Sequence, residues 1–294
     1  MTKPLFKGAA TAIVTPFKDG AVDTEALKKL TKFQIDNGIS AIVVIGTTGE
    51  APTLSKKEKL EAIYTVSEAA EGRVPIIAGT SCNDTASSVA LTKEAVKEGA
   101  DGILAVTPYY NRPTPSGMLR HFLSIAEAGG KPTILYNIPS RTGSEIPDSV
   151  YDGFITHPMA SGVKEASGSI SRCAHLAAKY RGQLDIYSGN DDMTLPVLSV
   201  GGKGVISVVS NLFPKQMSEL CSLYFEGKRE ECIDLYRKFL PLMSSLFTET
   251  NPIPVKAGME YLGLCSGELR LPLVKASSEC EKKLIASIET FKAP

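Results

Sequence analysis

Eight short apolar runs recur along this chain at a nearly constant beat, and few folds can accommodate that. They fall at 11–14, 41–45, 75–78, 103–106, 133–137, 161–164, 185–188 and 204–209, each flanked by Gly, Pro or Ser. Successive runs start about 28 residues apart, the span of one strand plus one helix. They lack polar alternation, as strands do when helices cover both faces of a parallel sheet. Between them the apolar spacing turns helical. Residues 24–35 carry Leu27, Leu30 and Ile35, and Ser55 with Glu58 forms a capping box that opens a helix through Val66. Residues 84–96 and 117–126 read in the same way. Eight strand–helix units in series predict an α/β fold, a (β/α)8 TIM barrel. An open, doubly wound sheet is the alternative, but it calls for a glycine-rich turn after the first strand. Thr15-Pro16-Phe17 stands there instead.

From about residue 228 the pattern changes to helices without strands, at 228–246, 254–262, 271–276 and 278–291. The expected organisation is a barrel over 1–227 with a C-terminal helical extension, 228–294, packed on it. No low-complexity linker separates the two. With 43% hydrophobic residues the chain has ample material for a core. Lys+Arg and Asp+Glu both number 32, so no polyanion-seeking field is present, and nucleic acid or an anionic membrane is not expected as a partner. No apolar run approaches the ~18 residues of a membrane span. The N-terminal residues lack a signal-peptide core, and a cytoplasmic location is expected. Six cysteines and three histidines are dispersed with no Cys-x-x-Cys pair. Neither a metal site nor a disulfide framework is expected.

In a barrel of this kind chemistry sits at the C-terminal ends of the strands. The polar residues there are Thr47 and Thr48, Tyr109 and Tyr110, Tyr136 and Asn137 with Arg141 beyond, Lys164 and Glu165, and Gly189-Asn190-Asp191. Side chains alternate along a strand, so Lys164 and Glu165 face opposite ways. A lysine left unpaired in a dry barrel mouth has a depressed pKa and becomes a nucleophile toward carbonyls. Bringing it from about 10.4 to near 7.4 costs on the order of 4 kcal/mol. A snorkelling or salt-bridged lysine is the plainer reading. Tyr136 is either an aromatic filler or, with Thr48 across the mouth, part of a hydroxyl chain able to move protons. The turn 46–50, GTTGE, offers converging backbone N–H groups and threonine hydroxyls suited to a carboxylate, or else is only a turn before the next helix. A carboxylate there and a carbonyl on Lys164 together describe a 2-oxo acid. The GGKG stretch at 201–204 is a weaker anion-turn signal, of the sort a phosphate-binding barrel isomerase would use.

The motifs GTTGEAPTL, VTPYYNRP, YNIPSRTG, GVKEASG, YSGNDD and ETNPIPVK stand in register, and over about 6–273 the chain resembles the dihydrodipicolinate synthase / N-acetylneuraminate lyase family of pyruvate-dependent class I aldolases. The resemblance implies that Lys164 forms a Schiff base with pyruvate, and that Tyr136, Thr48 and Tyr110 relay protons, Tyr110 from a neighbouring subunit. It further implies that Thr47 and Thr48 hold the pyruvate carboxylate, and that Gly189 and Ile206 line the pocket through their backbones. The arginine of PSRTG, Arg141, matches the members that bind L-aspartate-4-semialdehyde through its carboxylate, in the diaminopimelate route to lysine. Sialate and 2-oxo-3-deoxy-sugar-acid lyases differ at this arginine. No metal or organic cofactor is implied, and a homo-oligomer, a dimer of dimers, is. Many members are inhibited by lysine at the dimer interface. Here Asn83 and Tyr109 match that effector site, but Ser87 replaces its glutamate and Lys56 and Lys59 replace two histidines. Feedback is therefore expected to be weak or absent.

Overall fold

Eight parallel strands, joined in chain order, close into a barrel: β1 (Gly8–Ala12), β2 (Ala41–Val44), β3 (Ile76–Gly79), β4 (Gly102–Val106), β5 (Thr133–Asn137), β6 (Ala160–Glu165), β7 (Asp185–Ser188) and β8 (Gly204–Ser207). The computed structural model describes residues 4–293; residues 1–3, part of the segment read for a signal peptide, and residue 294 lie outside it. β5 and β7 coincide with their predicted bounds, and β1 starts three residues before its own. Gly8, Ala9, Ala10 and Ala12 carry little β-propensity, but only small residues fit there. A Cβ on Gly204 of the adjoining strand would lie 1.8 Å from the Gly8 carbonyl oxygen. The last predicted strand stops at Ser207, and Val209–Asn211 form a single 3-10 turn.

The helices between the strands are α1 (Thr24–Asp36), α2 (Lys56–Ala70), α3 (Thr85–Lys97), α4 (Pro115–Gly129), α5 (Pro139–Thr142), α6 (Asp148–Phe154), α7 (Ile170–Lys179) and α8 (Thr194–Ser199). The capping box on α2 is present: Ser55 Oγ accepts from the Glu58 N–H at 3.3 Å, and Glu58 Oε2 accepts from the Ser55 N–H at 2.8 Å. After β8 come α9 (Pro214–Phe225), α10 (Arg229–Ser245), α11 (Ile253–Tyr261) and α12 (Ser278–Lys292). The helix expected over 271–276 is not formed. Pro272 cannot donate a helical hydrogen bond, and Leu271 and Val274 are largely exposed, so no buried face exists to stabilise a helix. Among the described residues no helix is long and apolar enough to cross a membrane.

Alternation along the strands separates two layers. Ala10, Val43, Ile77, Leu104, Ile134 and Ile206 fill the barrel, while Ala9, Ile42, Val44 and Val205 pack outward against helices. At the N-terminal end Phe6 stacks on Tyr187 with centroids 4.2 Å apart, and the Tyr187 hydroxyl donates to the Phe6 carbonyl at 2.9 Å. That plug leaves the opposite end as the open one. Phe239, Leu242, Val255, Met259 and Ile288 from α10–α12 belong to the same apolar cluster as the outer faces of β2 and β8. The late helices thus share the barrel's core, and the connection between α10 and α11, with Phe247 and Asn251, lies at its C-terminal mouth.

Candidate active site

A cavity of about 640 Å³ opens at the C-terminal ends of the strands. Lys164, the penultimate residue of β6, stands in its wall, only 6% exposed. Its strand neighbour in register is Tyr136 of β5, and Lys164 Nζ lies 4.4 Å from the centre of that ring. Glu165 points the other way, as alternation requires. It accepts from Asn137 Nδ2 at 2.8 Å and from the Ser167 N–H at 2.7 Å, joining two strand ends on the outer face. Among the described residues no carboxylate lies within ion-pairing distance of Lys164. Burial pulls its ammonium down from 10.5 to about 8, opposed by the Asp191 carboxylate and assisted by the Arg141 guanidinium.

Tyr136 is buried in the cavity wall, and its phenol is pushed up to about 12 by burial, against the Arg141 charge and the neighbouring Thr47 hydroxyl. It therefore keeps its proton near neutral pH, as a donor should. The threonine at Tyr136 is Thr47, not the expected Thr48. The Thr48 hydroxyl instead accepts from Asn251 Nδ2 at 2.9 Å. The cause is local: the backbone leaves β2 through Ile45 at φ +50°, and neighbouring side chains in the turn diverge. A second left-handed residue, Glu50 at φ +52°, closes the turn. Such φ values are costly for residues bearing a Cβ, most of all for a β-branched one. The fold accommodates them by close approach: a Cβ on Gly79 of β3 would meet the Ile45 carbonyl oxygen at 2.6 Å.

Arg141, in α5, reaches the cavity from beyond β5, and its Nη2 donates to the Asn251 carbonyl at 2.9 Å. No carboxylate among the described residues pairs with it, so its remaining donors are available to an anion. Gly189 lines the cavity, and a Cβ there would collide with Ala166 at 2.5 Å. Ile206 does not line it. The residue is fully buried in the barrel's inner layer, and Val208, just past the end of β8, forms the wall instead. Tyr110 is 92% exposed at φ +68° and stands outside the cavity of its own chain. At the outer end the cavity passes Lys56, Lys59, Cys82, Ser87 and Tyr109. Lys56 is paired with Glu94 at 2.6 Å. Among the described residues no group of three His, Cys, Asp or Glu side chains is placed to hold a metal ion.

Of two further buried polar residues at the site, Asn251 was not picked out at a strand end from sequence, and Asp191 was named there without a role. Asn251 holds Thr48 with its side chain and Arg141 with its carbonyl, across sequence separations of 203 and 110 residues. Its only sequence signal was membership of ETNPIPVK. Asp191 is buried, and its Oδ2 accepts from the Val208 and Val209 N–H groups at 3.0 and 2.9 Å. An acid directly after an apolar strand was visible, but nothing in the sequence directs it inward.

A family model described as the Dihydrodipicolinate synthetase family matches residues 5–291. A Thermotoga neapolitana protein named 4-hydroxy-tetrahydrodipicolinate synthase is 46% identical over 279 residues, covering 94% of this chain and 95% of its own. One of the same name from Leptospira biflexa serovar Patoc is 43% identical over 289 residues, 97% and 98% of the two lengths. The solved structure of the 4-hydroxy-tetrahydrodipicolinate synthase from Methylacidiphilum fumariolicum SolV matches with a TM-score of 0.95 at 46% identity, over 97% of this chain and 96% of that one. With motifs, barrel and full-length relatives in agreement, the chain belongs to the dihydrodipicolinate synthetase family.

Proposed function

We propose that this chain is a 4-hydroxy-tetrahydrodipicolinate synthase, condensing pyruvate with L-aspartate-4-semialdehyde through a Schiff base on Lys164. The observation that carries the reading is a buried lysine without a carboxylate partner, set against Tyr136 in a cavity that also presents Thr47, Thr48 and Arg141. At pH 7 a lysine titrating near 8 is neutral roughly one time in ten, against about three in ten thousand at 10.5. Its free amine attacks the pyruvate ketone, and Tyr136 carries protons to and from the carbinolamine as water leaves. Loss of a methyl proton from the iminium gives an enamine, whose carbon adds to the aldehyde. The amine of the semialdehyde then displaces Lys164 from the former ketone carbon, closing the ring.

The Thr47 and Thr48 turn receives the pyruvate carboxylate, and Thr47 rather than Thr48 passes protons with Tyr136. Arg141 takes the semialdehyde carboxylate in a forked contact. Tyr110 completes the relay in a neighbouring copy, within a homo-oligomer that is a dimer of dimers. A tyrosine almost wholly exposed and held at φ +68° is better accounted for by a partner's cavity than by solvent.

Borohydride reduction with pyruvate, followed by peptide mass spectrometry, is expected to find the pyruvyl adduct on Lys164. Turnover is expected with aspartate semialdehyde and not with sialate or 2-oxo-3-deoxy sugar acids. An unmodified Lys164 overturns the chemistry, and turnover of sugar acids alone overturns the substrate.

A further inference from the structure

The stretch 249–256, ETNPIPVK, supplies no group to the chemistry just described, yet it buries two polar side chains at the barrel mouth. Asn251 is 6% exposed and Lys256, on α11, is 0% exposed. Lys256 Nζ lies 2.5 Å from Oε1 of Glu50, itself almost completely buried, and donates to the Glu268 carbonyl at 2.7 Å. The ammonium also stands 4.1 Å from the centre of the Phe17 ring. The other Glu50 oxygen accepts from the Arg270 N–H at 3.2 Å. Glu50 is the residue that closes the turn carrying Thr47 and Thr48, and Asn251 Nδ2 donates to Thr48 within that turn. The turn is therefore gripped at two points by residues five positions apart, Asn251 in the connection before α11 and Lys256 on that helix.

A turn of this kind needs holding. Ile45 and Glu50 bracket it in left-handed conformations that a free chain would leave, and the segment between them carries the converging donors. A fully buried ion pair is a poor device for stability alone, since desolvation offsets the attraction and apolar side chains of like volume serve as well. What it imposes is position: the ammonium is anchored by the Glu268 carbonyl and the Phe17 ring, and the carboxylate is held between that charge and the Arg270 N–H. We propose that the Glu50–Lys256 pair, together with Asn251, positions the Thr47–Thr48 turn for the pyruvate carboxylate, so that the helices after residue 228 are a working part of the active site. This rests on the functional reading above.

The test is the double variant Glu50→Gln/Lys256→Met, which removes both charges and leaves neither orphaned. Its readouts are the pyruvate half-saturation and the plateau of borohydride trapping at Lys164, with a denaturant titration to establish folding. The expected result is a rise of fivefold or more in half-saturation, with the trapping plateau at the wild-type level in a folded protein. A smaller rise overturns the inference. So does a lost plateau in the folded variant, which would place the pair's action on the lysine and not on the carboxylate turn. Should the double variant lack a cooperative unfolding transition, Asn251→Ala decides by the same measurement, with a threefold or greater rise expected and anything less contradicting the inference. Wild-type protein that forms no adduct defeats the functional reading and this inference with it. An adduct on wild type with unchanged half-saturation in the variants defeats this inference alone.

Discussion

Replacing Lys164 by Met should make the protein more stable while abolishing its proposed chemistry. Met has nearly the volume of the lysine stem and no charge to desolvate. The fall of the lysine from 10.5 to about 8 on burial corresponds to roughly 3 kcal/mol of folding free energy that the wild type forgoes. The sign and window follow from the two titrations. Below pH 8 both folded and unfolded forms are protonated, and the whole penalty is present. Between 8 and 10.5 only the unfolded form holds the proton, so wild-type stability climbs with pH and the penalty fades, leaving under about 1 kcal/mol at pH 10. Calorimetry on wild type and Lys164→Met without pyruvate is expected to show the variant melting roughly 5 °C higher at pH 7, with a markedly smaller gap at pH 10. Equal melting at pH 7, or a gap independent of pH, would refute the claim that burial depresses this lysine.

Other consequences are open to direct measurement. Arg141→Ala is expected to raise KM for the semialdehyde by about a hundredfold while leaving pyruvate trapping at Lys164 intact, since the guanidinium has no carboxylate partner among the described residues and serves the second substrate; equal losses for both substrates would contradict this. Tyr136→Phe should lower kcat about a hundredfold or more with little change in pyruvate affinity, as expected for a proton carrier and not a packing ring. Glu58, whose carboxyl the Arg270 fork holds at about 2, contributes stability present above pH 4.5 and lost as pH falls toward 2. Glu58→Gln is expected to cost about 1–2 kcal/mol at pH 7 and almost nothing at pH 2, by urea titration at each pH. L-Lysine below the millimolar range is expected to leave activity unchanged in a coupled assay, because the cavity's outer end presents Lys59 and Ser87, and the nearby Glu94 carboxylate is already engaged by Lys56, where a cationic effector needs a free carboxylate.

The barrel was legible because its signal is repetition: eight apolar runs at one spacing survive errors of a few residues in any one of them. The errors occurred where packing overrides propensity. Gly8 to Ala12 form a strand because two backbones nearly touch there, a constraint that lives in Gly204 far along the chain. Residues 271–276 show helical spacing of apolar positions but present no face to the core. The site was legible as far as strand ends announce it. Lys164 and Tyr136 stood out as candidates at their strand ends, but their roles, and that of Arg141 in the loop beyond, came from the family resemblance. Pairings across the mouth were not: which of two adjacent threonines meets Tyr136 depends on the left-handed Ile45, a β-branched residue that no propensity would put there. Ile206 and Val208 show the same limit at the end of β8.

The costs of this architecture are concentrated at one end of the barrel. The mouth holds a desolvated lysine, a buried Asp191 whose second oxygen has no hydrogen-bond partner, and two Cβ-bearing residues in left-handed conformations within six positions. None of these helps the chain to fold. What surrounds them is correspondingly firm. Arg270 forks onto Glu58, donates to the Thr53 carbonyl at 3.0 Å and lies 4.4 Å from the Phe17 ring centre, so that the start of α2 is fastened to the segment before α12. Phe239 of α10 and Phe291 of α12 stack with centroids 4.4 Å apart, joining those two helices. Apolar contact of this kind is non-directional and bears the stability, while the few buried polar contacts at the mouth set geometry. Substitutions in the α10–α12 core should therefore lower the melting temperature with kinetic constants kept. Those at Glu50, Asn251 and Lys256 should shift substrate affinity out of proportion to any change in stability.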